Sequence, residues 1–150
     1  MTNPALPAAH AVFRAINTGD LAALPDLVTD DFVDHGSPFV ISPGPAGYAR
    51  ILTWVTRVLR LRYEIVDEID TADRVVVRAV ARGPGVAQVH GVAAVGHTYA
   101  MSTIHIYRTE GPRLAEHWGV RDEVGAMVQL GVLPAPDPAA LDAAEAMAGS

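Results

Sequence analysis

The chain contains no cysteine and no lysine, few aromatic residues, and no long unbroken apolar run. The missing cysteine excludes disulfides, thiolate metal ligands and a cysteine nucleophile. The missing lysine leaves eleven arginines as the permanent cations against seventeen carboxylates, for a net charge of -6. The arginines are scattered apart from Arg57, Arg60 and Arg62 at one helix end. That excludes nucleic acid as the main partner, because phosphate binding needs a clustered basic face. No stretch approaches the roughly 20 apolar residues of a membrane span. The opening segment MTNPALPAAHAVFRA lacks the basic start and continuous apolar core of a secretory leader, so a cytoplasmic location without a membrane partner is expected. The HExxH, GxGxxG, GxxxxGK and GxSxG patterns are also missing.

What is present reads as one domain. At 150 residues, half of them hydrophobic, the chain is long enough to bury a core without disulfides or metals. PAAHAVFRAIN puts Ala8, Val12, Phe13 and Ile16 on one helical stripe, and Gly19 follows where a helix stops. Asp20 caps a second short helix that ends near Thr29. Phe32 and Val33 form a brief strand, and His35 sits where it gives way to a loop rich in Gly and Pro. From Ala46 to about Leu61 an amphipathic helix carries Tyr48, Ile51, Leu52, Val55, Val58 and Leu59 on one face. The period then changes to two: RYEIVDEIDT, RVVVRAVARG, VAQVHGVAAVG, TYAMSTIHIYR and LAEHWGVRD read as strands. The expected fold is α+β, three N-terminal helices packed on a strongly curved antiparallel sheet over residues 1–134, with a tail over 135–150.

The most informative stretch runs from Met101 to Asp122, a hairpin that gathers ionisable groups and a large aromatic ring. On its first strand Tyr99, Met101, Thr103, His105 and Tyr107 share one face; Ile104 and Ile106 share the other and mark a dimer interface. On its second strand Glu116, Trp118, Val120 and Asp122 alternate with His117, Gly119 and Arg121. Asp122 has two readings: a carboxylate desolvated beside an aromatic ring and working as acid and base, or the N-cap of EVGAMVQLG. His105 and His35 are its imidazole partners if all three enter one cavity. His117 is a weaker candidate because its parity differs from that of Trp118, and His10, His90 and His97 read as structural or solvated. A metal would need scattered ligands such as His35, His105, His117 and Asp122, and none is expected. Trp54, Trp118, Phe39 and Met101 are core residues individually; together with Tyr48 and His117 they suit the wall of an apolar ligand cavity.

The order of these segments, with NTGD early, then DFVDHGSP, AGYARILTWVTRVLR, DRVVVRAVARG and RLAEHWGVRD, resembles the SnoaL-like polyketide cyclases. They belong to the cone-shaped nuclear-transport-factor-like superfamily, with the ketosteroid isomerases, limonene epoxide hydrolases and scytalone dehydratases. The resemblance spans about residues 8 to 134. It implies a cone-shaped fold, self-association, and an Asp shortly after the His-Trp pair as general acid and base for intramolecular aldol closure, which falls on Asp122. It places His35 where the isomerases have their base and His105 where they have the acid that binds the enolate. Both isomerase groups are carboxyls, and the isomerase tyrosine of the first helix is matched by Val12, so steroid isomerisation is not expected. Epoxide hydrolysis is not expected either, since the strand that should carry an Arg and a second Asp reads VHGVAAVG.

The reading is therefore a cofactor-independent lyase or isomerase acting on an apolar carbonyl substrate such as a polyketide, as a homodimer or higher homo-oligomer. Its alternatives are a non-catalytic binding or assembly module, and a dehydratase or hydrolase in which the histidines dominate.

Overall fold

The computed structural model describes residues 1–85, 88–89, 92–93 and 97–149. Its elements, in chain order, are α1 (Leu6–Thr18), α2 (Leu24–Leu27), β1 (Val28–Asp34), α3 (Pro45–Thr53), β2 (Arg62–Asp70), β3 (Arg74–Gly83), β4 (Gln88–Val89), β5 (Val92–Ala93), β6 (Tyr99–Glu110), β7 (Arg113–Arg121), α4 (Glu123–Gln129) and α5 (Ala139–Ala148). Five strands form one sheet in the order β1-β7-β6-β3-β2, and β4 and β5 pair separately.

The α+β class matches the sequence reading, but the second helix is only Leu24–Leu27 and is not capped by Asp20, whose Oδ1 accepts from the Ala22 N–H ahead of it. The sheet is mixed rather than purely antiparallel, because β1 runs parallel to β7 while the other neighbours are antiparallel. The short strand at Phe32 thus becomes an edge of the main sheet. Of the VAQVHGVAAVG segment, only Gln88–Val89 and Val92–Ala93 lie within the described residues, in the separate pair; His90 lies outside them.

Alternation along the strands decides which side chains meet the helices. In β6 the odd positions from Tyr99 to Thr109 are buried, while Ser102, Ile104 and Ile106 face outward. Valines and alanines at 75, 77, 79 and 81 extend the same inner layer on β3. Against it pack Val12, Phe13 and Ile16 of α1 and Tyr48, Ile51 and Leu52 of α3. Asn17 fixes the angle of α1 through a two-point clamp, its side chain donating to the Tyr63 carbonyl and accepting from the Tyr63 N–H, both at 2.7 Å.

The third helix starts as expected but does not stay α-helical. At Trp54–Val58 it widens into a π-helical turn, with the Leu59 N–H donating to the Trp54 carbonyl at 3.0 Å. Such turns are rare and cluster at functional sites. Here it carries Trp54 and Val55 into a cavity wall. Arg60, at φ 55°, then breaks the helix and turns Leu61 into the core. At the C-terminus α5 has no buried residue.

At the end of the loop between β1 and α3, the Gly44 N–H donates to the Phe32 carbonyl at 2.7 Å. A Cβ on Gly47 would stand 1.8 Å from the Ser42 carbonyl oxygen. Gly47→Ala is therefore expected to destabilise the fold by about 2 kcal/mol or more through forced displacement of this loop, read from the urea midpoint; an unchanged midpoint contradicts the packing described.

Candidate active site

The sheet order places the last residue of β1 against the middle of β7. Asp34 pairs in register with His117, and the His35 N–H donates to the His117 carbonyl at 2.8 Å. Across the other edge of β7, His117 is opposite Tyr107 and Gly119 is opposite His105. Asp34, His117 and His105 therefore point inward side by side.

They form a continuous line of hydrogen bonds. Asp34 Oδ1 accepts from the Gly36 N–H at 2.8 Å and lies 2.7 Å from His117 Nδ1. His117 Nε2 is 2.9 Å from His105 Nδ1, and His105 Nε2 is 3.1 Å from the Thr103 hydroxyl. The Thr103 hydroxyl is in turn 2.9 Å from the Ala79 carbonyl oxygen. The Asp34 and His117 side chains are each only 4% exposed. The loop approaches so closely that a Cβ on Gly36 would sit 2.9 Å from His117 Cε1.

Burial works to raise the Asp34 pKa, but the hydrogen bond and charge of His117, the Gly36 N–H and the charge of Arg121 outweigh it and hold the carboxyl below its ordinary value. His105 is driven the other way for a base. Burial, then the proximity of His117 and Arg121, pushes it well below the ordinary imidazole range, so its ring is neutral at pH 7. A neutral His105 has one N–H, and that fixes the direction of the whole line. If Nδ1 carries the proton, it donates to His117 Nε2, His117 Nδ1 donates to the Asp34 carboxylate, and the Thr103 hydroxyl turns its one proton from the Ala79 carbonyl to His105 Nε2. If Nε2 carries it, Thr103 accepts and donates to Ala79, His117 donates from Nε2, and one extra proton resides between His117 Nδ1 and Asp34. The line thus has two states that differ by one proton. Asp34 Oδ2 takes part in none of these bonds.

Around this line lies a cavity of about 220 Å³ whose wall includes Phe13, Tyr48, Trp54, Tyr63, Met101 and Tyr107. Tyr107 stacks on His117 with ring centres 4.8 Å apart. Burial raises the pKa of the Tyr48, Tyr63 and Tyr107 phenols, which stay protonated as donors at neutral pH. The Tyr48 and Tyr107 phenols neighbour each other in the cavity wall, and Tyr63 neighbours Arg121. Arg121 donates to the Gly36 carbonyl at 3.1 Å and is the arginine of the cavity wall. Among the described residues no cluster of three or more His, Asp or Glu side chains is arranged to hold a metal ion.

Of the residues expected from the sequence, the structure brings together His105, His117, Tyr48, Met101 and Trp54. Four placements need correction. Asp122 is exposed and caps α4, Oδ1 accepting from the Gly125 N–H at 2.9 Å. It lies one residue beyond Arg121, the last inward position of β7, and is not part of the cavity wall. His35 points outward, stacks on Trp118 at 5.0 Å and pairs with Glu116 at 2.9 Å. Trp118 is on the outer sheet face, 36% exposed. Phe39 is 53% exposed and touches the site only through the edge of Trp54, at 5.2 Å. The residues missed are Asp34 and Arg121, and strand parity was the signal for both. Asp34 is two positions from the buried Phe32, and Arg121 shares its face with His117 and Gly119.

Two outcomes follow. Asp122→Asn should change stability by no more than a few tenths of a kcal/mol while Asp122→Ala costs about 1 kcal/mol, compared by chemical denaturation; equal losses in both contradict the cap. Because His105 takes up a proton more readily unfolded than folded, its contribution is intact above pH 6.5 and declines as pH falls below that value. Between pH 7 and 5.5 the wild type should lose about 1 kcal/mol more stability than His105→Gln. Parallel losses in the two proteins contradict a neutral buried His105.

The family model for the SnoaL-like polyketide cyclases matches residues 8–130. No curated protein matches the chain. Among solved structures, IdmH from Streptomyces antibioticus, a candidate polyketide cyclase, is 27% identical, with 84% of this chain and 97% of that one covered and a TM-score of 0.72. TsrD from Streptomyces laurentii is 24% identical, covering 87% and 96%, with a TM-score of 0.74. A SnoaL-like polyketide cyclase from Agrobacterium tumefaciens is 22% identical, covering 87% and 100%, also at 0.74. With the family match extending from α1 through α4, this chain belongs to the SnoaL-like polyketide cyclase family.

Proposed function

We propose that the protein is a cofactor-independent cyclase that closes a ring in a polyketide-like carbonyl substrate, with Asp34 rather than Asp122 as the general acid and base. The observation that carries this reading is the Asp34 carboxylate in the wall of an apolar cavity, held at Oδ1 by Gly36 and His117 while Oδ2 takes part in neither bond.

In the step proposed, Asp34 Oδ2 removes a proton from a carbon beside a carbonyl, and the electron pair moves onto the carbonyl oxygen as an enolate. Arg121 and the Tyr63 phenol are the donors in the wall suited to that negative charge. The enolate carbon attacks a second carbonyl of the same molecule, forming the new C–C bond, and the resulting alkoxide takes back the proton held by Asp34. Protons and electrons balance without a cofactor. The imidazole pair steadies Asp34 through the cycle, since the line beyond His117 can accept or return a proton by reversing its direction. An apolar wall excludes water and raises the worth of each of these interactions.

The homodimer expected from the sequence is proposed on the outer sheet face, where Ile104, Ile106, Trp118 and Val120 remain exposed. Such a contiguous apolar surface is characteristic of association sites.

With a synthetic aromatic diketone whose closure changes its absorbance, Asp34→Asn should lower turnover by about 10² to 10⁴ with the fold retained, and Asp122→Asn should leave turnover unchanged. Full activity in a folded Asp34→Asn protein refutes the assignment. Binding of the diketone without turnover by the wild-type protein makes the non-catalytic module the better account.

A further inference from the structure

A second concave region adjoins the cavity. It is an open trough of about 690 Å³ between the C-terminal end of α1, the turn after the π-helical segment, and the starts of β2 and β6. Three arginines line it, Arg60, Arg62 and Arg82, and no Asp or Glu does so among the described residues. It shares Ile16, Leu61 and Tyr99 with the cavity, so the two adjoin across those side chains. In a chain of net charge -6, this is a local reversal of sign.

Two features of the cluster are unfavourable as they stand. Arg60 has φ 55°, a left-handed backbone that costs an L-residue energy and that Gly or Asn adopts more readily. Arg62 lies directly opposite Arg82 in the β2–β3 ladder, and like charges at that position repel. The nearby groups compensate only in part. Arg62 donates to the neutral Asn17 carbonyl at 2.7 Å, and Glu64 lies 3.4 Å from Arg82 with both side chains largely exposed. Arg60 has no hydrogen bond or ion pair among the described residues. One anion between these guanidinium groups would relieve the repulsion and give Arg60 a partner.

We propose that this trough binds the anionic end of the substrate, a carboxylate or a phosphate, while the apolar body of the same molecule fills the cavity. The proposal rests on the reading of the cavity as the substrate site. A planar guanidinium suits either oxyanion, because it donates two parallel hydrogen bonds to one acceptor group.

Calorimetric titration of the full chain with naphthylhexanoic acid, its methyl ester and naphthylhexyl phosphate tests this directly. At low salt at least one of the two anionic probes should bind about tenfold more tightly than the ester, and the gap should narrow as sodium chloride is added. A preference confined to the acid indicates a carboxylate substrate, and one confined to the phosphate indicates a phosphorylated substrate; both support the trough. The double variant Arg60→Gly, Arg82→Gln should abolish the preference without an earlier thermal transition, since glycine is unstrained at that φ. Equal binding of all three probes, or a preference that survives in the double variant, overturns the anion site and leaves the cavity reading intact. Binding by none of them overturns both.

Discussion

A carboxylate buried among aromatic rings is the constraint to which the rest of this site answers. Removing an ionised Asp from water costs several kcal/mol unless its oxygens are bonded and its charge is balanced. Asp34 meets both requirements at one oxygen, through the Gly36 N–H and His117 Nδ1, with Arg121 close enough to lower its pKa further. The requirement propagates. Residue 36 has no room for a Cβ against His117, and residue 119 has little more, since a Cβ there would lie 3.2 Å from His117 Cε1. His117 needs a partner for its second nitrogen and finds it in His105, which needs Thr103. Three side chains from two strands, His117, His105 and Thr103, are thereby committed to one carboxylate.

The fold supplies this geometry through its edge. Because β1 lies parallel to β7, the end of β1 reaches the middle of β7 just where the chain leaves it for the loop over the cavity. The π-helical turn at Trp54–Val58 and the aromatic residues Tyr48 and Phe13 close the other side. The same enclosure that makes the carboxylate costly makes it useful, since charges and dipoles act more strongly where water is excluded.

Most of the architecture was legible in the sequence, since it depends on periodicity. The stripe of Val12, Phe13 and Ile16, the stop at Gly19, and the alternation of TYAMSTIHIYR each point to one arrangement. The parallel pairing of β1 was not legible, because strand order depends on contacts between segments about eighty residues apart. For the site, one-residue parity decided the outcome. His35 and Trp118 attract attention by residue type, yet they stack on each other on the outer face, while Asp34 and His117, their neighbours in sequence, face inward. Residue type pointed to the correct strands and the wrong faces. The two readings of Asp122, acid/base group or cap, were separated only by the position of the Gly125 N–H.

The bonded line from Asp34 to Thr103 is the claim on which the functional account stands, and long-range proton–nitrogen NMR of the imidazole rings reads it directly. The account predicts that His105 keeps one protonated and one bare nitrogen from pH 7 down to 5.5, well into the range where a solvated imidazole of pKa 6.5 is charged. It also predicts that His117 Nδ1 carries a proton whose signal shifts in Asp34→Asn. A His105 ring that becomes doubly protonated near pH 6.5, with no His117 response to the loss of the Asp34 carboxylate, would contradict it.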